Sequence, residues 1–232
     1  MFGRKNCCFV IFLIVAVTVS LFPQSVCAQQ SDLIAANAGS KSKKQKRNKV
    51  KYEETTDIFD LSIDDNIDNP HLGKQADVIS EFQGQEALAM KHDHHDVELM
   101  RNGEVIVFTI PAGQLFNPND TVLTDLGKVS LKPFLKYLAT PGLYKMILAM
   151  HSDNTGSDAY TLALSRARVN AVFDWIDGQA STDFVVPYAL GSIEPIVPNN
   201  SVLNRRSNRR LEIYLVPGYA MIEQAKKNKI KL

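Results

Sequence analysis

The sequence predicts an α/β sandwich, helices packed on a mixed β-sheet, in the C-terminal half of the chain. Three observations lead there. From about Val97 onward, segments of strand and helix character follow one another as hairpin, helix, strand, helix, strand, strand. Before that point no apolar period is sustained. And 45% of the 232 residues are apolar, enough to fill a core in that half.

The hairpin is "VELMRNGEVIVFTI", two alternating runs around Asn102-Gly103. That dipeptide favours the positive φ of a two-residue type I′ turn. In "LTDLGKVSLKPFLKYLAT", Leu123, Leu126, Leu131, Phe134, Leu135 and Leu138 recur at helical spacing, with Thr124 as N-cap. Pro133 should kink or split this helix, because it lacks an N–H and crowds the preceding turn. "LYKMILAM" (143–150) has the length and composition of a short buried strand. Ser157 or Asp158 caps the next helix, which runs to about Asp177-Gly178 with Tyr160, Leu164, Ala167, Ala171 and Ile176 as its apolar side, to which Val172 and Phe173 add. "DFVVPYAL" (183–190) is a strand whose Pro187 points to an edge or a bulge. "LEIYLV" (211–216) is the last strand.

The N-terminal part reads differently. Arg4 and Lys5 precede a charge-free, mostly apolar run from Cys7 to Phe22, and Val26 and Ala28 fit a small-residue cleavage site before Gln29. This pattern predicts a secretory signal peptide. An uncleaved anchor and a lipid-modified Cys27 are the alternatives. All three cysteines (Cys7, Cys8, Cys27) lie in this stretch, so cleavage leaves a chain without thiols that depends on its core. A basic block, Lys41 to Lys51, and an acidic block, Glu53 to Asp68, then follow without apolar period, as in a solvated tether. One short helix is expected within it, around Asp77 to Lys91. The expected organisation is a signal peptide (1–28), a charged flexible linker (29–96), one folded domain (97–217) and a basic tail (218–232).

Charge narrows the function. With 26 Lys and Arg against 25 Asp and Glu, the net charge of +1 does not suit bulk nucleic-acid binding. The notable groups are Asp153, just past an apolar run, and Arg168, well along the following helix. An arginine can hold a carboxylate by two parallel hydrogen bonds, and an aspartate can accept from an ammonium. The loop between them opens a helix, where free N–H groups favour an anion, and Gly156 lets the backbone approach closely. The pair thus suits a zwitterionic ligand. A surface ion pair of purely structural role is the competing reading.

Several blocks in order resemble the OmpA-like (OmpA/MotB C-terminal) peptidoglycan-binding domain family. "LFNPNDTVLTDLGKVSL" (115–131) is similar to its Leu-Phe segment, "MHSDNTG" (150–156) to its G-H-T-D-x-x-G, and "LSRAR" (164–168) to its L-S-x-x-R. "GSIEP" (191–195) and "NRRLEI" (208–213) match its closing motifs. The resemblance implies non-covalent binding of the diaminopimelate in the peptidoglycan stem peptide by Asp153 and Arg168. It also implies that Asn154, Thr155, Gly156, Thr161, Leu164, Asn208 and Arg209 line or brace the site. Met150 replaces the family's glycine, Ser152 its threonine and Thr161 its asparagine, which puts one amide contact in question.

No cofactor or metal and no enzyme activity are expected. His151, Asp153 and Ser165 have the residue types of a hydrolase triad, but no nucleophile-elbow pattern surrounds Ser165. "HDHHD" (92–96) could bind a metal only with a second cluster, and reads as a polar turn. The apolar run has no Asp or Glu, unlike a proton-conducting stator, and residues 29–96 are too charged and short for a barrel. The expectation is an exported protein of a Gram-negative envelope, periplasmic and associated with the wall or outer membrane. The alternative is a subunit of a larger envelope machine whose tether binds a protein partner.

Overall fold

A computed structural model describes residue 58, residues 61–93 and residues 95–230. The signal-peptide, Cys27 and basic-block expectations lie outside these residues. The described residues fall within one compact unit, 52–232. Its centre is a five-stranded sheet in the order β1-β2-β5-β3-β4. The strands are β1 (Asp96–Met100), β2 (Val105–Pro111), β3 (Tyr144–His151), β4 (Val185–Gly191) and β5 (Arg210–Pro217). Only β3 and β4 pair in parallel, and the β3–α–β4 crossover between them supplies the helix the alternation predicted.

Local chemistry accounts for most elements. β1 and β2 form the expected hairpin, with Met100 opposite Val105. Its turn is longer than predicted: Arg101 to Glu104 connect the strands, with Arg101, Asn102 and Gly103 all at positive φ. The Arg101 guanidinium donates to the carbonyls of Ile67 and Pro70 and pairs with Glu104 at 2.8 Å within the turn. Thr124 caps α4 (Asp125–Leu131), its Oγ1 accepting from Gly127 N at 3.0 Å. Pro133 ends the α-helical pitch, and Lys132–Leu138 continue as a 3₁₀ helix. Ser157 caps α5 (Asp158–Asp177). β4 is an edge strand, as Pro187 suggested.

One face of the sheet carries the main core. Ile106, Phe108 and Ile110 of β2, Met146, Leu148 and Met150 of β3, and Leu211, Ile213 and Leu215 of β5 alternate onto it. Against them pack Val169, Val172 and Ile176 of α5 and Leu131 and Phe134 of the α4 region.

Two segments depart from expectation. The stretch read as tether forms α1 (Ile63–Asp68) and α2 (Ala76–His92). The helix expected near 77–91 is there, and Ile79, Ala87 and Met90 lie in the main core. Its buried Gln83 accepts from Tyr144 Oη and donates to Glu104 O. The acidic block misled because two of its apolar residues, Ile63 and Ile67, meet the sheet's other face, beside Val105, Val107, Ile147, Ala149 and Val216. The segment read as a basic tail begins with α7 (Tyr219–Lys226), whose Met221 and Ala225 are buried in the main core. Two short helices also went unread: α3 (Ala112–Leu115) and α6 (Val202–Asn208). No helix among the described residues is long and apolar enough to cross a membrane.

Candidate functional site

β3 is buried at all eight positions and ends in a built irregularity. The β3–β4 register shifts between Met150 and His151, and Gly191 stands opposite His151 at φ +56°. Ser152 N then donates to Gly191 O at 2.7 Å, closing the strand and sending the chain into the Asp153–Gly156 loop. Asp153 Oδ1 accepts from Thr155 N at 2.8 Å, an Asx turn that tightens this loop. Gly156 is at φ +110°, a conformation that side chains rarely adopt, and Ser157 starts α5 directly after it.

Asp153 is only 5% exposed. Its Oδ2 accepts from Arg209 Nη1, in an ion pair whose arginine is 40% exposed. Burial alone would raise the Asp153 pKa. The Thr155 N–H and the Arg209 guanidinium outweigh it and hold the carboxyl below its ordinary value. Arg209 owes its place to the link between α6 and β5, where its own carbonyl accepts from Ala112 N at 2.9 Å.

Arg168 is 4% exposed, on the inner side of α5. It does not bond Asp153. Its Nε donates to Asp120 O at 2.9 Å and its Nη2 to Asn117 O at 3.4 Å, and the guanidinium lies 5.1 Å from the Phe116 ring centroid. The loop that receives it is held by Asp120, whose carboxylate accepts from the N–H groups of Thr121 and Val122. These N–H groups, with help from Asn117 and Arg168, lower the Asp120 pKa. Burial lowers the Arg168 pKa from its usual value, and Arg209 adds to this while Asp120 and Asp153 oppose it. Asp153 thus pairs with Arg209 ahead of α5, while Arg168, midway along α5, is held by the Asn117–Asp120 loop.

The other expected residues divide. Asn154, Thr155 and Gly156 are exposed on the loop, and Leu164 is partly buried. Thr161 is buried, donates to Asp158 O at 3.0 Å and lies 3.4 Å from Ser192 Oγ. Asn208 is buried and makes three bonds, donating to Val197 O and Asn199 Oδ1 and accepting from Val197 N. It pins the β4–α6 loop and thereby the root of Arg209. Ser165 Oγ lies 3.1 Å from Ser152 Oγ, while His151 Nε2 lies 3.2 Å from Glu212 Oε2, so Ser165 and His151 have other partners than each other.

Several site residues were not read from the sequence. Asn117 and Asp120 belong to "NPND", a turn signal that marks a loop but not its guest. Behind the loop, Glu212 of β5 gathers His151, Arg210 Nε at 2.7 Å and Tyr214 Oη. The apolar side assigned to α5 is also rotated. The helix buries Thr161 and Ser165 in its first half, Arg168 at its middle, and Val169, Val172 and Ile176 beyond. Tyr160 is instead about half exposed. The first half faces the site rather than the core, so polar residues occupy the inner positions. Among the described residues no group of His, Cys, Asp and Glu could hold a metal ion, and His94 of the "HDHHD" stretch lies outside them.

No protein-family model matches the chain. The YfiB protein of Escherichia coli is 32% identical over 103 residues, which are 44% of this chain and 64% of that protein. The peptidoglycan-binding protein ArfA of Mycobacterium tuberculosis is 36% identical over 64 residues, 27% of this chain and 20% of that one. The chain thus spans less than two thirds of either relative. A MotB-like protein of Desulfovibrio vulgaris superposes with a TM-score of 0.55 at 21% identity, covering 62% of this chain and 95% of its own. That likeness concerns the fold: the described part of this chain has the fold of that MotB-like protein, in line with the resemblance of the motif blocks.

Proposed function

We propose that this protein binds peptidoglycan non-covalently and anchors the cell envelope, or a partner joined to its N-terminal segment, to the cell wall. The observation that carries the reading is the ion pair of buried Asp153 with Arg209 just ahead of α5, the helix whose inner side also carries buried Arg168. A free end of meso-diaminopimelate bears an ammonium and a carboxylate. Asp153 accepts from the ammonium. Arg168, oriented by the Asn117–Asp120 loop, offers its unused N–H groups to the carboxylate. Arg209 neutralises Asp153 in the free protein and, on its exposed stem, moves aside or turns to the ligand. The helix N-terminus favours the anionic end further. This is recognition without bond breaking, and it needs no cofactor. The signal-like N-terminus and the likeness to YfiB of Escherichia coli support a location in the periplasm of a Gram-negative bacterium, and the likeness to the peptidoglycan-binding protein ArfA supports a place against the wall. The short motif blocks support the stem peptide as ligand.

The test is co-sedimentation of the purified protein with isolated peptidoglycan sacculi, beside Asp153→Ala and Arg168→Ala. The wild type is expected in the pellet. Each variant is expected mostly in the supernatant, with affinity reduced by about tenfold or more, the loss of a charge-assisted hydrogen bond. A wild type that stays in the supernatant refutes the reading.

A further inference from the structure

The helix α4 (Asp125–Leu131) has two apolar sides where a surface helix has one. Its inner side is Gly127 and Leu131. A Cβ built on Gly127 would come within 2.7 Å of Leu115 O, so this side lies close against α3, and Leu131 is in the main core. The outer side carries Leu126 and Val129, one turn apart, 65% and 57% exposed. Val122, just ahead of the Thr124 cap, is 68% exposed as well. Single apolar residues on a surface are ordinary, but a row of them along one short helix marks a contact site. Charges flank this row in a fixed order. Asp125, its side chain almost fully exposed, stands at the start and pairs with Lys128 at 3.0 Å. Lys132, exposed and still helical at φ −53° and ψ −42°, stands two turns later on the same side.

We propose that the outer side of α4 is a homodimer surface, on which two copies of the chain pair antiparallel about a two-fold axis. The order of the charges selects a second copy as the occupant. Antiparallel pairing packs Leu126 of each copy against Val129 of the other, with Val122 at both margins. It also sets the charged flank against its own copy, so Asp125 of each chain meets Lys132 of the other. Acid meets base at both ends, and the face is complementary to itself. So few aliphatic side chains bury less than the roughly 1,200 Å² of a standard interface. The dimer is therefore weak and forms where the chain is concentrated. Its use rests on the peptidoglycan reading. The loop that holds Arg168 leads directly into α4, so this dimer sets two clamps side by side before a wall that repeats the ligand.

The experiment is analytical ultracentrifugation of the purified protein up to about 1 mM, the range in which a weak interface fills. Thermal melts show that each variant folds. The wild type should pass from monomer to dimer as concentration rises. Leu126→Glu, at an exposed position, should melt as the wild type does and stay monomeric. Asp125→Lys should weaken the dimer about tenfold, because one substitution spoils both symmetric ion pairs. Combining it with Lys132→Asp should restore the dimer. On isolated sacculi, Leu126→Glu should be retained about tenfold less than the wild type, through loss of bivalence. A wild type that is monomeric throughout overturns the proposal. So does a dimer that survives Leu126→Glu, or a double reversal no better than the single one. Equal retention of Leu126→Glu and wild type overturns the pairing of clamps. Asp153→Ala should dimerise normally and fail to pellet, so a wild-type dimer that stays in the supernatant refutes the clamp alone.

Discussion

Glu212 shows how a single side chain supports the site from behind. Its carboxylate is nearly buried, which by itself would raise the pKa. Hydrogen bonds from His151 and Tyr214 and the charge of Arg210 prevail and bring it down to about 2, from an ordinary 4.5. A carboxylate with a depressed folded pKa lends stability that is present above 4.5 and is lost as pH falls toward 2. Equilibrium urea unfolding between pH 2 and pH 7 should therefore show wild-type stability falling steeply below about pH 4.5. Glu212→Gln should be less stable at pH 7 by on the order of 3 kcal/mol and should show a flatter acid limb. Because Arg210 adjoins Arg209 and His151 lies two residues before Asp153, the same variant should also loosen ligand binding. A Glu212→Gln protein with the wild-type acid limb would show that other carboxylates govern it.

At the scale of elements, α1 and its flanks act as a strap over the second face of the sheet. Buried Asn66 is the knot: it donates to Ile58 O and Tyr188 Oη, both at 2.6 Å, and accepts from Lys145 Nζ at 2.9 Å. Lys145 also reaches Asn69 O at 2.7 Å, and Tyr188 Oη donates to Leu61 O. Both acceptors of Lys145 are neutral. Burial, and secondarily the charge of Arg101, lowers its pKa to about 8 from 10.5. Between these values the unfolded chain holds the extra proton, so stability should rise as pH increases from 8 toward 10. Above that, Tyr137, Tyr144 and Tyr214, whose pKa values burial raises, oppose the trend. Chemical unfolding at pH 8 and pH 10 should show this rise in the wild type and its absence in Lys145→Met. A rise that persists in the variant would assign it to another group.

At the largest scale, the described unit is also held by elements that lie outside the motif blocks. α2 and α7 close the main core from its far side, through Met90, Met221 and Ala225. Met221→Ala should cost about 2–5 kcal/mol, the usual range for a buried large-to-small change, with the site residues untouched. Thermal unfolding would register it, and affinity for sacculi at a temperature where the variant is folded should equal that of the wild type. A variant that melts as the wild type does would make α7 an appendage. Distance from the site matters here: α7 packs by the strand end opposite to Asp153, since Gly218 N bonds Leu143 O just ahead of β3. For the proposed role, one clamp on a small ligand is weak, and a wall that repeats the ligand densely makes up for it by rebinding.

The sequence alone determined whatever short-range rules govern. It determined the β1–β2 hairpin, the Thr124 and Ser157 caps, the break at Pro133, the buried β3 run and the edge position of β4, because caps, prolines and periodicity act over a few residues. The alternation of strands and helices determined the fold class, and the motif blocks added a family resemblance and an expected ligand for Asp153 and Arg168. Only the tertiary structure decided the partners. Asp153 meets Arg209, 56 residues away, and Arg168 turns to the carbonyls of a loop 48 to 51 residues before it. It also turned an acidic stretch into a strap and a basic end into a core helix. The physical reason is common to these cases. A charge or a lone apolar residue gains its energy from the burial and the partners that the fold brings to it, and neither is written in the residues beside it.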